Sequence, residues 1–324
     1  MKPLIALPFQ GEATAHSPFP SKGRVGVGMC EKMVRWFALG LGVLLLAACM
    51  PKEIPPPLPP PKPAKIAIVL GAGASKGFAH VGVLKVLESQ KVPIDLVVGT
   101  SAGSFVGSLY AYGYDVFQLQ TMAMALLKDD VVDLTLPDNG FIRGEKIENF
   151  INKTVRQTPL ERLKIPFRAV ATNLQTGEEI VFATGNTGRA VRASCSIPGV
   201  FQPVRIGDKA YVDGGVVSPV AVDAARKAGA DVVIAVDISA GVGGAVPQGI
   251  LDTILQSIDI MYAKIATAQL RNADVVIRPN LSHIGSSDFD KRNEAILEGE
   301  KAAVLVMPQI RQILDKLRQE GRLP

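Results

Sequence analysis

Residues 96–112 read LVVGTSAGSFVGSLYAY: an apolar run, then Gly99-Thr100-Ser101-Ala102-Gly103, then a stretch from Ser104 to Tyr112 with helical character. Strand, turn and helix in that order are the setting in which Gly-x-Ser-x-Gly exposes a serine hydroxyl at the carboxyl edge of a sheet. Gly99 and Gly103 remove side chains that would clash across so sharp a turn. The helix that follows directs its amino end at the serine and favours negative charge there. Elsewhere the same pattern marks only a tight turn with a capping serine; here it makes Ser101 a candidate nucleophile.

Working outward, the same alternation repeats. Ile66 to Leu70 is an apolar run ended by a glycine-rich loop and followed by a helical stretch bearing Val81, Leu84 and Leu87. Phe167 to Ala171, Val232 to Val236 and Val275 to Ile277 are further apolar runs, with helical segments at Val220 to Ala228 and Ile250 to Leu270 between the last three. Continuous apolar strands alternating with helices predict an α/β domain, a three-layer α/β/α sandwich whose mainly parallel sheet is covered on both faces. Asn293 to Leu317 reads as a cover helix that Pro308 should break in two.

Two further motifs gain meaning beside Ser101. Leu70-Gly71-Ala72-Gly73-Ala74-Ser75-Lys76-Gly77 joins the first strand to the first helix. A glycine-rich turn at a helix amino end can cradle phosphate, but this spacing fits neither the dinucleotide nor the P-loop fingerprint. The other reading is an oxyanion hole built from backbone N–H groups, and the elbow serine one strand-helix unit later favours it. Tyr211-Val212-Asp213-Gly214-Gly215 sets a carboxylate at a strand end; alone, Asp-Gly-Gly is usually a turn.

The three motifs in this order resemble the patatin-like phospholipases. Gly77-Phe78-Ala79-His80-Val81-Gly82-Val83-Leu84 and Ala193-Ser194-Cys195-Ser196-Ile197-Pro198-Gly199-Val200-Phe201 are similar too, so the likeness runs from about Lys65 to Asp237. The resemblance implies that Ser101 attacks an ester carbonyl, that Asp213 takes its proton, and that water then releases the fatty acid from an acyl-enzyme. It implies oxyanion donors among Gly73, Ala74 and Ser75, with Lys76 at the family's basic position, supporting glycines at Gly99, Gly103, Gly214 and Gly215, and no catalytic calcium. An exposed carboxylate is a feeble base, so the site should be partly desolvated. Ala72 and Ala74 depart from the family's all-glycine loop and Lys76 from its usual arginine. Alanine keeps the N–H but disfavours positive φ, so a loop needing that geometry would be strained.

Ser101, Asp213 and His283 also occur in the order of a Ser-His-Asp triad, which stays open as an alternative. His80, one turn into the first helix, reads as a structural histidine bonded to neighbouring backbone. Asn173 reads as a local cap and Asp237 as a loop-stabilising residue. No His/Cys/Asp/Glu cluster has metal-ligand spacing, and no cofactor is expected.

The formal charge of +5 invites a nucleic-acid reading, but +3 of it lies before Cys49, and the body carries no Lys/Arg stripe with interleaved aromatics. Nucleic acid is therefore excluded as a partner. Trp36 to Ala48 is an apolar stretch too short to span a bilayer, preceded by Arg35 and ended by Cys49. Residues 1–48 read as a leader with an export signal, translation starting at Met29 or Met33. Leu46-Ala47-Ala48-Cys49 resembles the bacterial lipobox, which implies acylation of Cys49, a membrane anchor, and, since Met50 is not aspartate, an outer-membrane location facing the periplasm. Residues 49–64 form a Pro-rich spacer and residues 65–320 the hydrolase domain. Cys195 is then the one cysteine of the domain, a small buried hydrophobe with no disulfide partner. A tethered enzyme fits a membrane-lipid substrate; a soluble-ester hydrolase and a non-catalytic lipid-binding scaffold are the other readings.

Overall fold

Alternate residues of the first strand enter different cores, and this fixes the architecture. In β1 (Ile66–Leu70), Ile66, Ile68 and Leu70 pack into one apolar cluster while Ala67 and Val69 pack into another. A strand buried on both faces must lie inside a sheet with helices on each side. The computed structural model describes residues 59–136, 140–239, 247 and 249–324, and Pro60–Pro324 form one unit. The expected leader, Cys49 and most of the Pro-rich spacer lie outside the described residues.

After β1 come α1 (Phe78–Ser89), β2 (Leu96–Thr100), α2 (Ala102–Tyr112), α3 (Val116–Ala125), α4 (Lys128–Val131) and α5 (Glu145–Thr154). Next are β3 (Phe167–Asn173), β4 (Glu179–Phe182), α6 (Thr187–Ser194), β5 (Val204–Ile206) and β6 (Lys209–Asp213). The chain ends with α7 (Val222–Lys227), β7 (Val232–Val236), α8 (Ile250–Gln269), β8 (Val275–Ile277) and α9 (Arg292–Gln319). The sheet order is β5-β6-β3-β2-β1-β7-β8, with β4 also paired to β3. β3, β2, β1, β7 and β8 run parallel; β4, β5 and β6 are antiparallel additions. The three-layer α/β/α architecture is thus as the apolar runs predict.

The long helix departs from expectation. Pro308 does not divide it: α9 continues through 28 residues with the proline inside. Pro308 lacks the N–H that would bond the carbonyl of Val304, but both residues are exposed, so that carbonyl is open to water. On the opposite face Ala303, Met307, Ile310 and Leu314 stay in the core on both sides of the proline and hold the helix together. Glycine sets how closely α9 lies on α1. A Cβ on Gly82 would overlap the Ile296 carbonyl, and one on Gly299 would overlap the Ala79 carbonyl.

Topology brings the two ends of the site together. β2 and β3 are parallel with Thr100 opposite Val170, so Ser101 leaves the sheet level with Ala171. β6 pairs antiparallel with β3 and sets Asp213 opposite that same Ala171. β3 thereby aligns two residues that are 112 positions apart in the chain.

Candidate active site

The turn at Ser101 is strained and heavily tied down. Ser101 has φ 54° and ψ −123°, a left-handed conformation that L residues avoid. Its N–H donates to Ser194 Oγ at 2.9 Å, and Ser194 Oγ in turn donates to the Val170 carbonyl at 2.5 Å. The Ser101 carbonyl accepts from the N–H groups of Ser104 (2.8 Å) and Phe105 (3.1 Å), from Ser104 Oγ (2.7 Å) and from Cys195 Sγ (3.2 Å). The flanking glycines make room: a Cβ on Gly99 would lie 2.5 Å from Ser104 Cα, and one on Gly103 would overlap the Leu70 carbonyl.

Ser101 Oγ donates directly to Asp213 Oδ2 at 2.5 Å, and no imidazole lies between them. Asp213 is wholly buried. Its N–H donates to the Ser196 carbonyl at 2.8 Å, its own carbonyl accepts from Thr172 Oγ1 at 2.9 Å, and its Oδ1 accepts from the Gly215 N–H at 2.7 Å. Burial raises its pKa from 3.8 to about 6, against the opposing pull of hydrogen bonding from Ser101, the Gly215 N–H and Tyr262. The carboxylate is therefore desolvated and in contact with the serine hydroxyl.

The glycine-rich loop lies beside this pair, but only part of it offers donors. The N–H groups of Gly71 and Ala72 donate to the carbonyls of Val236 (3.0 Å) and Pro219 (2.9 Å). That of Ser75, expected as a free oxyanion donor, and that of Lys76 are engaged as well, donating to Ser286 O (3.2 Å) and Gly73 O (3.0 Å) as the chain turns into a 3-10 helix. Among the described residues the N–H groups of Gly73 and Ala74 have no acceptor, and neither does that of Ala102 at the first turn of α2. Ala74, not Ala72, adopts positive φ, at 48°. The Lys76 side chain is buried and turned away from solvent, its Nζ donating to Asp259 Oδ2 at 2.9 Å. Ser286 Oγ donates to that same oxygen at 2.6 Å.

His80 is buried with Nε2 2.9 Å from the Gly71 carbonyl, so it braces the loop from behind, and burial lowers its pKa to about 4. His283 lies on the surface, paired with Glu294 at 2.8 Å. Asn173 caps its own turn through the N–H groups of Gln175 and Thr176, and Asp237 accepts from Ser239 and from Arg278. Burial pushes the Cys195 thiol far up, so it stays protonated beside the elbow. Among the described residues no group of three His, Cys, Asp or Glu side chains is placed to hold a metal, and no helix is long and apolar enough to cross a membrane.

A cavity of about 220 Å³ opens beside Ser101, Ala102 and Ala74 and runs between α1, α2, α3 and α5. Phe78, Phe105, Leu109, Leu119, Ile147 and Phe150 line it, so a bound hydrocarbon would meet almost no polar group. Ser194, Ser196 and Tyr262 were not legible as site residues. The stretch Ala193 to Phe201 stands out in the sequence, but nothing in it says that Ser194 and Ser196 fix the elbow and the acid; Tyr262 belongs to no motif.

Comparison with known proteins shows what the chain is similar to. Residues 68–226 match the family model described as patatin-like phospholipase. Among curated relatives, lysophospholipase NTE1 of Pyricularia oryzae is 28% identical over 292 residues, covering 80% of this chain and 19% of the relative. Lysophospholipase NTE1 of Coccidioides immitis is 30% identical over 292 residues, covering 80% of this chain and 18% of the relative. The chain thus spans about a fifth of the length of the curated relatives it matches. Among solved structures, VipD from Legionella pneumophila superposes with a TM-score of 0.56 at 13% identity, covering 78% of this chain and 67% of that one, a likeness of fold.

Proposed function

The chain carries a patatin-like phospholipase domain at residues 68–226, and on that premise we propose that it is a lipid acyl hydrolase of the lysophospholipase type, with Ser101 as nucleophile and Asp213 as its base. The observation that carries the reading is the 2.5 Å hydrogen bond from Ser101 Oγ to a fully buried carboxylate, beside an apolar cavity of acyl-chain character. As Ser101 Oγ bonds to the ester carbonyl carbon, its proton passes to Asp213 Oδ2 and the carbonyl oxygen becomes negative. Among the described residues the N–H groups of Gly73 and Ala74, and that of Ala102 at the start of α2, have no acceptor, and these are the donors proposed for that oxygen. Collapse of the tetrahedral species breaks the bond to the alcohol, which takes the proton from Asp213. A water then loses one proton to the same carboxylate as its oxygen attacks the acyl carbon, and collapse breaks the bond to Ser101 Oγ, which takes that proton back from Asp213 as the fatty acid is released.

A membrane lipid as substrate is supported by the surface beside the cavity. Lys128, Val131, Val132 and Ile142 line it, while Leu127, Leu134, Leu136 and Phe141 of the same region are solvent-exposed. In this account acylated Cys49 holds the domain at the outer membrane on its periplasmic side. Mass spectrometry of the mature protein should find acyl chains on Cys49 at a new amino terminus, and Cys49→Ser should release the protein from the membrane fraction; an unmodified Cys49 would remove the anchor from the account.

The function is tested by release of fatty acid from lysophosphatidylcholine across pH. Because Asp213 must be ionised to accept the proton and its pKa is about 6, kcat/KM should fall about tenfold per pH unit below pH 6 and level off above it. Ser101→Ala should abolish activity and His283→Ala should leave it intact. Loss of activity in a folded His283→Ala protein would instead favour the Ser-His-Asp reading, and an inert wild type a lipid-binding scaffold.

A further inference from the structure

Tyr262 sits on α8, packed against the turn that follows Asp213, and its ring is almost wholly buried. Its hydroxyl is enclosed and, among the described residues, has no hydrogen-bond partner in the static geometry. A buried hydroxyl left unpaired is unfavourable, and each such group in a native fold calls for a reason. The ring lies directly on the glycine turn after Asp213: a Cβ on Gly215 would fall 2.7 Å from Tyr262 Oη and closer still to the ring carbons. Gly215 is therefore small so that Tyr262 can reach the turn, whose own N–H donates to Asp213 Oδ1.

We propose that Tyr262 is a positioning residue whose hydroxyl donates to the Asp213 carboxylate as a third donor, beside Ser101 Oγ and the Gly215 N–H, and so keeps the base ionised. This rests on the Ser101–Asp213 reading and deepens it. A carboxylate removed from water is stabilised by each donor aimed at it, and hydrogen bonds to a charged acceptor are the strong ones. Tyr262 is close enough to be among the groups that pull the Asp213 pKa down from where burial alone would put it, and a slight shift of the ring along the turn would bring its unpartnered hydroxyl onto the carboxylate. The other ionisable groups around Tyr262 are Asp259, one turn earlier on α8, and Cys195 beyond α6. Asp259 is held by Lys76, and Cys195 is protonated, so Asp213 is the acceptor left for the hydroxyl. Tyr262 itself stays protonated, because burial and the neighbouring Asp213 charge raise its pKa well above the ordinary value. Tyr262 is not among the residues that line the cavity, so it acts through Asp213 and not on the substrate.

The test is Tyr262→Phe in the full chain, which removes only the oxygen, assayed as kcat/KM on a p-nitrophenyl ester from pH 5 to 9 beside wild type and Asp213→Asn. The acid limb of Tyr262→Phe should move to higher pH by roughly one unit, leaving activity about tenfold down below the limb and close to wild type at pH 9. An isotope-edited infrared titration of the Asp213 carboxyl should show the same displacement without reference to turnover. If Asp213→Asn is inactive while both Tyr262→Phe profiles superimpose on wild type, the hydroxyl has no such role and this inference falls alone. If Asp213→Asn keeps the wild-type activity and profile, the Ser101–Asp213 reading falls and takes the inference with it.

Discussion

Asp213→Asn should give a protein that is more stable than wild type at pH 7.5 and roughly 10³–10⁴-fold less active. On the proposed mechanism the activity falls because an amide cannot take the Ser101 proton. The gain in stability follows from the burial of charge. A carboxyl with a pKa of about 6 when folded and 3.8 when exposed binds more protons in the folded than in the unfolded state between those values. Stability therefore falls as pH rises through that window, and the cost of the ionised form, about 3 kcal/mol at most, is fully present above it. Asparagine carries no charge and keeps an oxygen for the Gly215 N–H, so it should recover about 1–3 kcal/mol, several degrees in Tm. The difference from wild type should vanish near pH 4. His80 works in the opposite sense: its pKa of about 4 lies below the ordinary 6.5, so the unfolded state binds the extra proton and stability rises with pH between those values. In wild type these two slopes offset each other, and in Asp213→Asn the His80 slope should emerge. Equal or lower Tm in the variant at pH 7.5 would show that the carboxylate is not under the desolvation that the account requires.

Lys76→Met should cost about 3–5 kcal/mol, because it strands Asp259. Lys76 Nζ and Asp259 Oδ2 are 2.9 Å apart with side chains only 4% and 11% exposed, too enclosed for water to replace the lysine. The pair also ties down the glycine-rich loop, the proposed oxyanion hole. Lys76 pins the loop to α8, while Ser75 bonds to the segment after β8 through its N–H to Ser286 O and its Oγ to Gly285 O. Between these ties and β1, Ala74 is held at positive φ, which alanine would leave if released. Activity should therefore fall by about 10²-fold through loss of oxyanion geometry. Replacing both partners, as Lys76→Met with Asp259→Leu, should restore most of the stability, since an apolar pair of similar volume removes the stranded charge. Additive costs in urea unfolding would mean that the two charges do not act as a pair.

What the sequence revealed and what it hid divide along physical lines. Parallel strands buried on both faces are unbroken apolar runs, so β1, β2, β3, β7 and β8 were readable, and with them the layered sheet. β4 is half-buried along its length and β5 is three residues long, and neither leaves a pattern that periodicity can detect. Pro308 misled because a local rule about helix interiors was overridden by a face packed on both sides of it. Ser101 could be found because a strained elbow needs small residues at fixed offsets, a constraint written within five positions. Asp213 needed the company of the other motifs. Lys76 and Asp259 are 183 positions apart, and no local spacing announces such a pair. Nor could sequence tell which loop N–H groups remain free, since Ser75 and Lys76 lose theirs to a carbonyl after β8 and to the turn itself.

The most direct test of the central claim is mapping of the adduct left by a fluorophosphonate on the full chain. Attack by an activated serine leaves phosphorus on the nucleophile and nowhere else. The account predicts a single adduct on Ser101 in wild type, forming at a rate that falls below pH 6, and none in Ser101→Ala or at neutral pH in Asp213→Asn. An adduct on a different residue, or equal labelling of Ser101 with and without the Asp213 carboxylate, would contradict it.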